Sequence, residues 1–407
     1  MPPSPMRLRL AGELPPAPAK TGPAIGAKGF RPFFLLAGVF AAALVPIWLL
    51  ALLGRFDPGA YLGAMNWHAH EMVFGFATAV LAGFLLTAVG NWTQRETVVG
   101  GWLLALAGLW LAGRFALLGA RFLPRGIPAL VDIAFLPLLG VALARPLVAA
   151  KNRRNFVMLA VLAALAAANV AVHLDALGIA MPGWRRRGSL AGVDVVVFVM
   201  VVMAGRIVPM FTRNATGVET IRNSPTLDTA SVACAAIMTG VDVALPESRI
   251  GAIVACATAI ILTARTWNWG AVHAVRVPLL WILHIGYAWI PIGLMLRAVS
   301  AFTPRAPAPI ATHALTVGAI GALTLGMMSR VSLGHTGRAL VTSRAVVASF
   351  VLVTLAALLR VCVPLIDIAW SRAGALSAGA CWTAAFGIFV VAYAPVLLAP
   401  RVDGKAG

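Results

Sequence analysis

"NWHAHEMVFGFATAVLAGFLLTAVGNWT", residues 66 to 93, contains an uncharged run from Met72 to Val89 that is long enough to cross a bilayer. A hydrocarbon core about 30 Å thick takes about 20 apolar residues in helical form, and lipid offers backbone groups no water, so such a run is a membrane helix. The stretch nevertheless opens with His68, His70 and Glu71, groups that cost free energy in those surroundings. Their place at the head of an apolar helix implies that they look into a bundle and serve a purpose there.

The apolar pattern recurs along the chain. Of 407 residues, 61% are hydrophobic and 11% charged, and the mean hydropathy is +0.92, the composition of an all-α polytopic membrane protein. Twelve transmembrane helices are expected, at 33–54, 67–90, 99–118, 129–147, 156–176, 190–212, 226–245, 250–267, 279–297, 310–330, 345–367 and 376–399. The eighth has the weakest signal, because Arg265 and His273 fall where it should be ending. Residues 1–32, rich in Pro, Gly and Ala and without an apolar stripe, are expected to be a cytoplasmic flexible tail, 33–400 the transmembrane domain and 401–407 a second cytoplasmic tail. The first apolar run is too long, and starts too far from Met1, for a cleaved signal segment.

Lys and Arg concentrate in the tails and the even-numbered connections, which places both termini in the cytoplasm. Much of the net charge of +19 is this topological bias, so the lipid bilayer is the implied partner and nucleic acid is not. "GWRRRG" at 183–188 runs against the count. Cys234, Cys256, Cys362 and Cys381 lie in apolar spans without paired spacing and read as small buried hydrophobes.

Helix starts near 33, 156 and 279, and near 67, 190 and 310, suggest three four-helix repeats. Sliding helix 2 by 243 residues onto helix 10 superposes His70 on His313, Gly75 on Gly318, Ala79 on Ala322, Gly83 on Gly326 and Thr93 on Thr336. Four of the seven histidines, His68, His70, His173 and His313, then share the outer stratum of the membrane. At about 100° per residue, His68 and His70 point some 160° apart, whereas His68, Glu71 and Met72 share a side. One ion cannot be chelated by both histidines from a regular helix. His68, Glu71 and His173 form the expected metal group, since imidazole is a good metal ligand and the three share a depth.

"GFRPFF" at 29–34, "NWHAHEMVFGF" at 66–76, "GRIVPMFTRN" at 205–214 and "HALTVGAIGALTLGMMSRVSLGHTGR" at 313–338 resemble the signature blocks of the NnrS family. That resemblance implies a twelve-helix bacterial inner-membrane protein that holds haem, of b type, and copper, and is linked to nitric oxide metabolism or nitrosative stress. A more distant resemblance, to the catalytic subunit of haem-copper oxidases and nitric oxide reductases, implies a haem between helices 2 and 10, here His70 and His313. Helices 6 and 7 lack the histidines of that superfamily's binuclear centre.

The oxidase resemblance also implies Arg372, between helices 11 and 12, as a partner of haem propionates, a task that a guanidinium fork suits by its match to carboxylate geometry. Asp194 near the outer end of helix 6 is expected to support a ligand, and Arg206 and Arg330 near inner helix ends to bind anions or reach lipid headgroups. Two classes of function stay open. One is a metal protein acting on a small gaseous or redox substrate, with catalysis and electron donor undefined; the other is a secondary transporter without a redox cofactor.

Overall fold

The computed structural model describes residues 24–303 and 307–405, so most of the expected N-terminal tail, residues 1–23, lies outside the described part. The described residues form twelve long helices: α1 (Phe30–Leu52), α2 (Ala64–Thr93), α3 (Gly100–Leu118), α4 (Gly126–Ala149), α5 (Val157–Ala176), α6 (Trp184–Thr216), α7 (Pro225–Ala244), α8 (Arg249–Arg265), α9 (Pro278–Ser300), α10 (Ala308–Gly334), α11 (Arg344–Ile366) and α12 (Ser371–Leu398). No strand occurs among the described residues. Eleven helices are long and apolar enough to span a bilayer, and the chain is an all-α, multi-pass membrane protein. The twelfth, α8, has 17 residues and ends at Arg265, whose guanidinium is buried against Asp228 and the Val201 carbonyl.

Local chemistry sets the helix ends. Ser224, Ser248 and Ser343 each accept a bond from a first-turn backbone N–H of α7, α8 and α11, and Pro225 stands where a helix can spare its own N–H. The folded part begins earlier than residue 33. Ala24 N–H donates to the Leu398 carbonyl, Gly100 N–H donates to Gly26, and Arg31 Nη1 donates to the carbonyls of Leu397 (2.8 Å) and Ala399 (2.6 Å), which α12 leaves unpaired at its end. The "GFRPFF" block thus ties the first helix to the last.

The helices follow a three-quartet order. The second helices start at 64, 184 and 308, the third at 100, 225 and 344, and the fourth at 126, 249 and 371. The last helix of each quartet packs on the first of the next: α4 on α5, α8 on α9, and α12 back on α1. The three second helices are central, with 83%, 67% and 72% of the spanning residues buried in α2, α6 and α10. α6 touches both of its counterparts. Helices approach closely where side chains vanish, as lipid-borne packing requires: a Cβ on Gly188 of α6 would sit 2.5 Å from the Ala168 carbonyl of α5.

α2 and α10 share a rarer feature. Each changes from α to π winding just after its histidine, over Glu71–Ala77 and Ala314–Gly321, the same places under the 243-residue shift. π segments loosen the i→i+4 ladder and are uncommon outside functional regions. Thr78 Oγ1 donates to the Phe74 (2.5 Å) and Gly75 (3.3 Å) carbonyls at the end of one segment. Thr324 Oγ1 does the same for Ile320 (2.6 Å) and Gly321 (3.1 Å) in the other. The correspondence thus extends to the backbone.

Candidate metal centre

The end of the bundle opposite the chain termini holds a buried polar group built from four helices and a loop. His70 closes the first α-helical segment of α2 and Glu71 opens its π segment; Arg114 comes from α3, Asp132 from α4, and Asn169 and His173 from α5. Every one of these side chains is buried. Tyr61, in the connection before α2, closes the group from the loop side.

Bonds run through the whole set. His70 Nδ1 lies 3.1 Å from Glu71 Oε1, and its Nε2 lies 2.9 Å from Asn169 Oδ1 and 3.2 Å from Asp132 Oδ2. Asn169 Nδ2 donates to Asp132 Oδ2 at 2.7 Å, which fixes the amide orientation. His173 Nε2 meets the same Asp132 oxygen at 2.9 Å. Arg114 joins both carboxylates, donating to Glu71 Oε1 at 2.9 Å and pairing with Asp132 Oδ1. Burial pushes the Tyr61 phenol up to about 12, and its Oη lies 3.1 Å from His173 Nδ1.

Two physical features of this group point to a cation. The donor atoms of His70, Asp132 and His173 all lie within 4.8 Å of one another, close enough to converge on one ion. His70 is also surrounded by acceptors: a carboxylate at Nδ1, and an amide oxygen and a carboxylate at Nε2. A neutral ring has one donor only, so this environment calls for a second ring proton or a metal at Nε2. Two carboxylates against one guanidinium make the same demand in charge. Paired imidazoles with a carboxylate suit a transition metal, and the Glu71 contact at Nδ1 is the outer support such ligands need.

Local geometry makes room for this. A Cβ on Gly75 would lie 2.9 Å from Arg114 Nη1 and 2.7 Å from the Phe40 ring, so glycine lets the guanidinium reach Glu71. Trp110 Nε1 donates to the Gly75 carbonyl at 3.1 Å, serving an acceptor within the π segment.

His68 lives elsewhere. Its ring stacks on Trp48 of α1 at 4.5 Å, its Nδ1 is buried without a partner, and its electrostatic neighbours include His313 and Arg360. His313 Nδ1 lies 2.6 Å from the Pro309 carbonyl, one turn back, which leaves Nε2 free. The expected group of His68, Glu71 and His173 and the expected pair of His70 and His313 are therefore regrouped: His70 and Glu71 stand with His173, and His68 stands toward His313. Arg372 is exposed on the first turn of α12, and Arg360 is the guanidinium beside His313. Arg330 lies over the Phe211 ring at 3.9 Å, and Arg206 neighbours Arg154 and Arg265. Asp194 pairs with Arg297 of α9.

Sequence reasoning missed Tyr61, Arg114, Asp132, Asn169 and Arg360. Arg114 and Asp132 did carry a signal, each being a charge inside an apolar span. Asn169 and Tyr61 carried none beyond their polarity.

Fold and site together define a polytopic helical membrane protein with a buried His-Asp-His group of metal-binding type. The chain belongs to the NnrS family: the family model described as "NnrS protein" matches residues 24–401, nearly its whole length. Membership links the chain to the response to nitric oxide. No curated protein matches it.

Proposed function

We propose that this chain is a haem- and copper-binding protein of the bacterial inner membrane, with both termini cytoplasmic, that acts in nitric oxide metabolism or resistance to nitrosative stress. The observation that carries this reading is the convergence of His70, Asp132 and His173 inside an acceptor-rich, charge-deficient pocket. These three residues would hold copper. His313 and His68 would hold haem: the first has its outer nitrogen tied to a carbonyl and the second keeps a buried ring nitrogen unpaired, while His70 is engaged by the copper group. Bound metals would supply one-electron chemistry for nitric oxide or a related small species, by turnover or by protection of other metal centres.

The chain's own part is positioning. Tyr61 orients His173, Glu71 orients His70, and Arg114 holds both carboxylates in place. Burial excludes bulk water, which strengthens each of these interactions. A transporter reading has no comparable support, because a substrate path does not need two imidazoles aimed at one carboxylate oxygen.

The test is purification of the full chain with metal analysis and a reduced-minus-oxidised absorption spectrum. Copper together with a sharp low-spin haem difference spectrum is expected. A colourless, copper-free protein recovered from cells supplied with both cofactors would overturn the proposal.

A further inference from the structure

The seam between the second and third quartets carries a charged group that the copper and haem assignments leave unused. Asp194 of α6, Asp242 of α7 and Arg297 of α9 meet near the same end of the bundle as the His-Asp-His group. Their places correspond to the first seam. Asp194 stands 123 residues after Glu71, and Arg297 stands 124 residues after His173. Where the first seam sets imidazoles and a guanidinium among carboxylates, the second has one guanidinium between two carboxylates.

Arg297 Nη1 serves both acids. It lies 2.8 Å from Asp194 Oδ1 and hydrogen-bonds Asp242 Oδ2. One guanidinium thus serves two carboxylates at once. Asp194 is 1% exposed, both of its carboxyl oxygens are buried, and Arg297 and Asp242 are the groups that reach them. α2, α5, α10 and the short helix Ala271–Ala274 also pack on α6, and Asp242 and Arg297 are the charged neighbours of Asp194 among the described residues.

A buried ionised carboxylate that shares its one cation with a second carboxylate is costly, and two carboxylates on one nitrogen lie within the about 4–6 Å over which like charges oppose each other's ionisation. With both acids ionised the triad carries one uncompensated negative charge. We propose that Asp194 and Asp242 together bind one proton beside Arg297, taken up from the aqueous phase at the end of the bundle opposite the termini. The step is a simple protonation: one carboxylate becomes a carboxylic acid and the triad goes from net −1 to neutral. Asp242 and Arg297, 15% and 18% exposed, are the entry, and Asp194 is the buried end. The proton is shared between the two residues.

Infrared difference spectra of the purified full chain, between neutral and alkaline pH, test this. A carboxylic-acid C=O band is expected at neutral pH, shifted in heavy water and by heavy-carbon aspartate, and lost at alkaline pH. Asp194→Asn and Asp242→Asn should each remove it, because each leaves one carboxylate balanced by one guanidinium. Arg297→Gln should strengthen it. Unchanged band intensity in both Asn variants overturns the proposal. So does a band that appears only when sodium and potassium are withheld, since the site then holds a metal cation. If the Asn variants do not insert, the labelled unmutated chain decides: a band that heavy-carbon aspartate does not shift is not from this pair, and the proposal fails.

Discussion

Arg114→Met tests whether the buried group is held by charge. The guanidinium donates to Glu71 Oε1 at 2.9 Å, pairs with Asp132 Oδ1, and is 5% exposed, so water cannot replace it. Methionine keeps much of the volume and removes the charge, leaving two carboxylates with no cationic side chain of fixed charge. Removing one partner of a buried pair costs about 3–5 kcal/mol, a factor of about a hundred to a few thousand in the folding equilibrium. Glu71→Gln in the same chain removes one of the two negative charges then left, so the double variant should be more stable than the sum of single losses by about 1–3 kcal/mol. Equilibrium unfolding in mixed detergent micelles measures all three variants against the parent. An Arg114→Met variant within about 0.5 kcal/mol of the parent, or strictly additive losses, would refute the charge argument.

Other expectations follow from the same contacts. Gly75→Ala places a methyl against Arg114 and Phe40 and should cost about 1–3 kcal/mol in the same unfolding assay, with weakened copper retention, whereas Gly101→Ala, where a Cβ meets open space, should be nearly neutral. His313→Ala and His68→Ala should each abolish or convert the low-spin haem spectrum in a protein that still inserts; an unchanged spectrum in His68→Ala with a lost one in His70→Ala would return the ligand to His70. His335, beyond the end of α10 and packed on the Phe30 ring, is held below the usual imidazole range by burial, then by Arg401 and Lys28. A base depressed in the folded state binds its proton more readily when unfolded, so stability should be full above about pH 6.5 and fall as the pH drops below it. His335→Gln should flatten that slope in a pH series of melting curves.

The fold was legible because its driving force is one-dimensional. Apolar runs long enough to cross a bilayer mark themselves, and even α8, with Arg265 at its end, stood out as the weakest span. The 243-residue correspondence between α2 and α10 was visible as His70 on His313 and Gly75 on Gly318, although the π winding beneath both was not. A hydrogen-bond shift of one residue leaves no mark in composition.

The polar site was legible by depth and not by partner. The separation of His68 from His70 follows from helical geometry, and the two have different neighbours. Which of them meets His173 depends on how α5 sits beside α2, and periodicity carries no such information. Asp132 and Arg114 were the overlooked clue. Each is expensive alone in an apolar span, and together with Glu71 they form a buried set whose members justify one another.

Copper content per chain in His173→Ala, set beside His68→Ala and the parent, tests the central claim most directly. Elemental analysis of the purified proteins should find copper lost in His173→Ala and retained in His68→Ala, with the low-spin haem spectrum showing the reverse. Full copper in His173→Ala, or copper lost only in His68→Ala, would contradict the assignment of His70, Asp132 and His173 as the metal centre.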